Sequence, residues 1–155
     1  MRILTVRQPW AWAIIHGGKD VENRVRNIAG DYRGPVAIHA AKVNDVEAWA
    51  AMGRTNLAAY GRAMSVPESL IGGAIIGVVD IVDVHVARPA ASGRLVDWAE
   101  HTKPGELCSP WAEWDVHHLV LANPRALDEP IPYKGALGLR HLDDETTARI
   151  LEAKR

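Results

Sequence analysis

The stretch from Ala74 to Val86 constrains this chain more than any other, because eight of its thirteen residues are Ile or Val. Side chains branched at Cβ are stiff and sit well on a pleated surface, so such a run reads as a strand. Its length points to a bend or bulge, which a sheet needs in order to turn a corner and close. Further strand signals are Ile3–Val6, Val21–Val25, Pro35–Ala41, His117–Ala122 and a closing Leu137–Leu142, with Asn123-Pro124 read as a turn. Pro35–Ala41 is apolar enough to be buried. Helices are fewer. Pro9 suits a first helical turn leading through Ala11 to Ile15, and Gly17-Gly18 stops it. Asn44, with Glu47 three residues on, caps a second helix through Trp49 and Met52, with continuation through Leu57, Ala58 and Tyr60. Ala87–Gly105 reads as a loop holding a short helix at Leu95–His101. Asp143 caps a last helix, with Thr147, Ile150 and Leu151 on one side. No strand–helix–strand rhythm and no internal repeat occurs. The expected fold is α+β, a small mixed β-barrel with helices packed outside. It forms one domain over residues 1–155, with its core at 3–142 and a C-terminal helix at 143–154.

A chain of 155 residues that is 48% apolar can bury a sizeable core. Its single cysteine, Cys108, excludes an internal disulfide and fits a reducing compartment. Neither a long apolar span nor a basic-then-apolar leader occurs, so a cytoplasmic protein without membrane contact, monomeric by preference, is expected. The net charge of -1 conceals an asymmetry: residues 1–42 hold seven Lys/Arg against three acids, and the remainder eleven against sixteen. One positive face is implied, not a generally basic protein.

Charge is densest just after Gly17-Gly18, in Lys19, Glu22 and Arg24. In an extended segment Glu22 and Arg24 share a face, and Lys19 stands at its entry. Two cations and a carboxylate on one wall can grip an anionic ligand or polarise a proton acceptor; they can equally form a surface ion-pair cluster. The chain holds six Trp, three Tyr and no Phe. Most of the tryptophans suit the core, but Trp10, opening the first helix, is placed to stack on a nucleobase beside exposed helix N–H groups. His117-His118 with Asp115 and Cys108 are metal-ligating types. Adjacent strand residues face opposite ways, however, and no zinc spacing is present, so neither metal nor cofactor is expected.

The segment Gly18-Lys19-Asp20-Val21-Glu22-Asn23-Arg24 resembles the signature of the ASCH (activating signal cointegrator homology) family, which has a PUA-like fold. The prefix Leu4-Thr5-Val6-Arg7-Gln8-Pro9-Trp10-Ala11 is similar to the opening of its cointegrator-type branch. Arg33-Gly34 before Val36–Ala41, the run Gly73–Asp80, and Asn123-Pro124, Pro130–Pro132 and Lys134-Gly135 continue the resemblance in order to about Leu142. The resemblance implies recognition of RNA, other single-stranded nucleic acid or a nucleotide. Gln8, Pro9, Trp10, Arg33, His39 and Lys134 would then line the ligand site beside Lys19, Glu22 and Arg24. Some small members look like hydrolases of RNA or of an acylated nucleoside. In that alternative Lys19 matches the catalytic lysine, and Glu22 stands where those members have threonine. The remaining acid has no aligned position, with Asp97 and Glu100 as candidates. A protein-interaction domain is the third alternative.

Overall fold

The computed structural model describes residues 1–45, 47–50, 65–86 and 106–153. In chain order its elements are β1 (Arg2–Gln8), α1 (Trp10–His16), β2 (Val21–Arg24), β3 (Gly34–Asn44), β4 (Ala74–Val86), β5 (His117–Pro132), β6 (Leu139–His141) and α2 (Asp144–Glu152). The strands form one six-stranded sheet in the order β2-β5-β4-β3-β1-β6. β1 and β3 run parallel; the other four ladders are antiparallel.

Alternation along the strands divides the sheet's share of the core into two clusters. Leu4 and Val6 of β1 join Val36, Ile38 and Ala40 of β3 in one, against Ala11, Ile14 and Ile15 of α1. Ile3 and Ala37 belong to the other, with Ile131 of β5 and Ile150 of α2. A helix thus packs on each cluster, and the central strands need apolar side chains at successive positions. That explains the unbroken burial of Ala74–Val79. Gly77 is required where α1 meets β4: a Cβ there would lie 2.6 Å from Ile15 Cδ1 and 2.7 Å from the Arg125 carbonyl.

Among the described residues the hydrogen-bonded ladder is open, since β2 and β6 end it without pairing; the closed barrel expected from sequence is not what these ladders form. The sheet nevertheless curls strongly. Four steps of about 4.8 Å would set β2 roughly 19 Å from β1 in a flat sheet. Instead Arg24 Nη2 of β2 donates to the Thr5 carbonyl of β1 at 3.1 Å. Bulges supply the curvature: the β4–β5 register shifts between Ile75 and Gly77, Val78 and Asp80, and Ile81 and Asp83.

Asn123-Pro124 is one of these bulges and not the expected turn; β5 runs through it to Pro132. Asn123 takes a left-handed φ of 52°, which asparagine tolerates. Asp80 holds the bulge from across the ladder, accepting from Asn123 Nδ2 and from both terminal nitrogens of Arg125. The expected cap at Asn44 moves by one residue. Asn44 ends β3, and Asp45 Oδ1 accepts from the Ala48 N–H at 3.1 Å as residues 47–50 turn helical. The continuation through Met52, Leu57, Ala58 and Tyr60, and the helix at Leu95–His101, lie outside the described residues. Asp143 caps α2 as expected, accepting from Thr146 N–H at 2.7 Å. The buried face is Thr146 and Ile150, one turn apart, while Leu151 is exposed. No described helix is long and apolar enough to cross a membrane.

Candidate functional site

Gly18, at φ 70°, carries the chain out of α1 into Lys19, a turn that favours glycine. Lys19 enters buried, 5% exposed, beside Glu22 at 7%. Its ammonium donates to the Val21 carbonyl and to Glu22 Oε2, the latter at 3.2 Å. Glu22 Oε1 takes Arg24 Nη2 at 3.0 Å. The three charges expected on one wall therefore form one chain of ion pairs with the carboxylate in the middle. Burial of two of them separates this arrangement from a solvated surface cluster. Lys19 Nζ also stands 5.6 Å from the Trp10 ring centroid, within cation–π range.

The triad straddles two cavities. The larger, of about 1100 Å³, is lined by Glu22, Arg24 and Trp10 together with Arg7, His39, Lys42 and Lys134. A smaller one, of about 230 Å³, lies against Lys19, Glu22, Trp10, Asn23 and Trp111. Trp10, Glu22 and Asn23 line both and thus form a partition: Arg24 belongs to the open cleft and Lys19 to the compartment behind it. The large cleft lies where the curl brings β2 towards β1, and Lys134 reaches it from the loop after β5.

His39 is buried at the cleft wall. Its Nε2 bonds the Tyr133 carbonyl at 3.0 Å, and its Nδ1 has no partner among the described residues. A carbonyl only accepts, so Nε2 carries the proton and Nδ1 presents a lone pair. Burial holds this imidazole below the ordinary 6.5, in the neutral form. Gly135 makes the arrangement possible, since a Cβ there would fall 2.6 Å from His39 Cε1.

Three of the expected ligand contacts lie elsewhere. Gln8 is buried, donating from Nε2 to the Ile71 carbonyl and accepting the Trp12 N–H on Oε1. It thereby satisfies one of the helix N–H groups expected to be free for an anion. Pro9 is buried at the start of α1. Arg33 bonds the Gly30 and Tyr32 carbonyls in its own loop and stands 3.8 Å from Asp83. Asp97 and Glu100 lie outside the described residues. Two cleft cations, Arg7 and Lys42, escape sequence reasoning. Arg7 follows Thr5 by two positions on β1, so period-two alternation carries the signal; Lys42 has none short of the fold. Spacing along the sequence offers no metal set, yet the fold gathers His85, Cys108 and His118, their donor atoms within 4.8 Å of one another.

A family model for the ASCH domain matches residues 4–131. The chain belongs to the ASCH domain family. No curated protein matches it in sequence. Among solved structures it is similar to ASCH from Zymomonas mobilis, with 14% identity, a TM-score of 0.51, and coverage of 97% of this chain and 93% of that one. A tyrosine-to-phenylalanine variant of ZmASCH gives a TM-score of 0.53 at 14% identity, covering 97% and 96%. At this identity the likeness is one of fold, and it extends over the whole ASCH unit.

Proposed function

We propose that the protein binds single-stranded RNA, or a nucleotide unit of it, in the cleft between β1, β2 and the loop after β5. One observation carries the reading: Arg7, Arg24, Lys42 and Lys134 converge with Trp10 on a single cleft of about 1100 Å³. Of the two acids there, Glu22 and Asp45, the first is already engaged by Lys19 and Arg24. Cations take the phosphates, and an indole face takes a base. The volume suits a nucleotide with part of its neighbours, given that small-molecule pockets run to about 1,000 Å³. ASCH membership supports nucleic acid as the ligand class, and the Leu4–Ala11 prefix supports placement in the cointegrator-type branch. A cytoplasmic monomer is the form in which we expect it to work.

In this reading Lys19 is a positioning residue. It fixes Glu22, and Glu22 aims Arg24 into the cleft. The hydrolase alternative draws less support, because the Lys19 ammonium is tied to a carbonyl and a carboxylate and is not free to serve as a base.

Fluorescence anisotropy with a labelled oligoribonucleotide, repeated over a range of salt, tests the proposal. Three or four phosphate contacts give a log–log slope of roughly -2 to -3 at about -0.7 each on single strands. Arg24→Ala and Lys134→Ala each weaken binding, whereas Arg149→Ala, exposed on α2, leaves it unchanged. Salt-indifferent binding, or equal weakening by Arg149→Ala, overturns the assignment.

A further inference from the structure

We infer that His85, Cys108 and His118 form a mononuclear zinc site, away from the cleft and built from three separate parts of the chain. His85 on β4 and His118 on β5 are direct cross-strand partners, and the segment before β5 brings Cys108 against them. His118 Nδ1 lies 3.3 Å from His85 Nε2 and 3.3 Å from Cys108 Sγ.

Those separations are the edges of a coordination tetrahedron. With metal–nitrogen bonds of about 2.0–2.1 Å, two imidazole donors at the tetrahedral angle stand about 3.3–3.4 Å apart. With a metal–sulfur bond of about 2.3 Å, a thiolate stands about 3.6 Å from each nitrogen. The imidazole pair matches its edge, and the thiol is within a few tenths of an ångström of its own on the His118 side.

The surroundings of the rings orient them in the same sense. His118 Nε2 bonds the Glu113 carbonyl at 2.7 Å, and His85 Nδ1 bonds Asp83 Oδ2 at 2.8 Å. Both acceptors lack a proton, so these ring nitrogens are the protonated ones, and the neutral rings turn lone pairs on Nδ1 and Nε2 toward a common point. A backbone carbonyl behind one metal-binding histidine and a carboxylate behind the other is the usual outer support of such ligands. Two lone pairs facing each other at 3.3 Å repel unless a cation or a shared proton lies between them. A zinc ion would be such a cation. On binding, the S–H bond is broken, its proton passes to solvent, and the thiolate electron pair goes to the metal.

Two imidazoles and one thiolate are donors of borderline softness, which selects zinc over magnesium or calcium. Three protein ligands leave the fourth tetrahedral position for water. Cys108 begins the segment that carries Ser109, Trp111 and Glu113, so the metal would tie this wall of the small cavity to β4 and β5.

Cobalt(II) is the spectroscopic probe. The full chain, reduced and stripped of metal, is titrated with Co²⁺ and then with Zn²⁺. One equivalent is expected to give intense tetrahedral visible bands with a thiolate-to-cobalt charge-transfer band, and zinc to erase both. Because Cys108 is the only cysteine, that charge-transfer band reports this site alone. Cys108→Ser removes the band, His85→Gln lowers the affinity, and Asp83→Asn, behind His85, lowers it by about 10–100-fold. A measurement on the unaltered chain guards against variants that fail to fold: saturating Zn²⁺ slows alkylation of Cys108. Cobalt bound without a thiolate band, or an alkylation rate indifferent to zinc, overturns the inference.

Discussion

Replacing Glu22 by glutamine tests whether the buried ion-pair chain is as consequential as its geometry implies. The Lys19 side chain is 4% exposed and that of Glu22 10%, so neither partner can turn to water when the other is lost. Removing one partner of a buried pair costs about 3–5 kcal/mol, because the charge left behind is uncompensated. Glutamine keeps an amide oxygen near Nζ and the Val21 carbonyl still accepts, so Glu22→Gln belongs at the lower end, about 3 kcal/mol. At a urea dependence of about 2 kcal/mol per molar, the unfolding midpoint falls by about 1.5 M. The double variant Lys19→Met/Glu22→Leu removes both charges at similar volume and is expected to regain at least half of that loss, since apolar replacement of a buried pair is often neutral or better. It should nonetheless bind RNA less tightly than the unaltered chain, because Arg24 has lost the carboxylate that aims it. Urea unfolding at neutral pH, followed by circular dichroism, decides the matter. A Glu22→Gln midpoint within about 0.3 M of the unaltered protein, or a double variant less stable than the single, refutes the reasoning.

Gly135→Ala sets a methyl against the His39 ring, which Tyr133 holds from the other side; a loss of about 1–3 kcal/mol is expected, and an unchanged melting temperature would contradict it. His39 titrates lower folded than unfolded. The unfolded chain therefore binds the extra proton, and stability falls as pH drops below the unfolded value of about 6.5; His39→Gln should flatten that decline, and an unaltered stability–pH profile would count against it. Asn23→Ala removes the hydrogen bonds to the Trp111 carbonyl at 2.8 Å and from the Glu113 N–H at 3.2 Å, costing about 1 kcal/mol apiece. Cys108 should then react faster with an alkylating reagent, and an unchanged rate would refute the idea that Asn23 pins that segment.

What could be read in the sequence was what local pattern decides. The Ile/Val run became β4, Asp143 caps α2, and Gly17-Gly18 ends α1, because each depends on neighbours a few residues away. Asn123-Pro124 misled for the same reason. The pair is a good turn locally, but Asp80, from across the ladder, accepts from Asn123 and from Arg125 beyond it and so holds it as a bulge. The Lys19–Glu22–Arg24 chain was legible from strand alternation. Its division between two cavities was not, since that depends on where Trp10 and Trp111 meet edge-on at 6.2 Å. Gln8 was legible as a residue of interest and not for its task, because its partner Ile71 is 63 positions away. His85 and His118 stand 33 positions apart and become neighbours only through ladder register.

β2 joins these features, and its four residues show how little chain is needed. Glu22 and Arg24, two apart, hold the cationic wall of the cleft. Asn23, between them, turns its amide to the segment at 111–113. It also pairs in register with His118, whose ring is held by the Glu113 carbonyl. Asn23 thus ties down the backbone N–H of the residue whose carbonyl orients His118. A side chain that closed only the cleft would have no need of that second attachment. The strand is better understood as a shared wall: Glu22 and Arg24 hold the charges of the cleft, and Asn23 supports the segment that Cys108 begins. Disturbing either side loads the same backbone, which among the described residues β5 alone holds in the sheet.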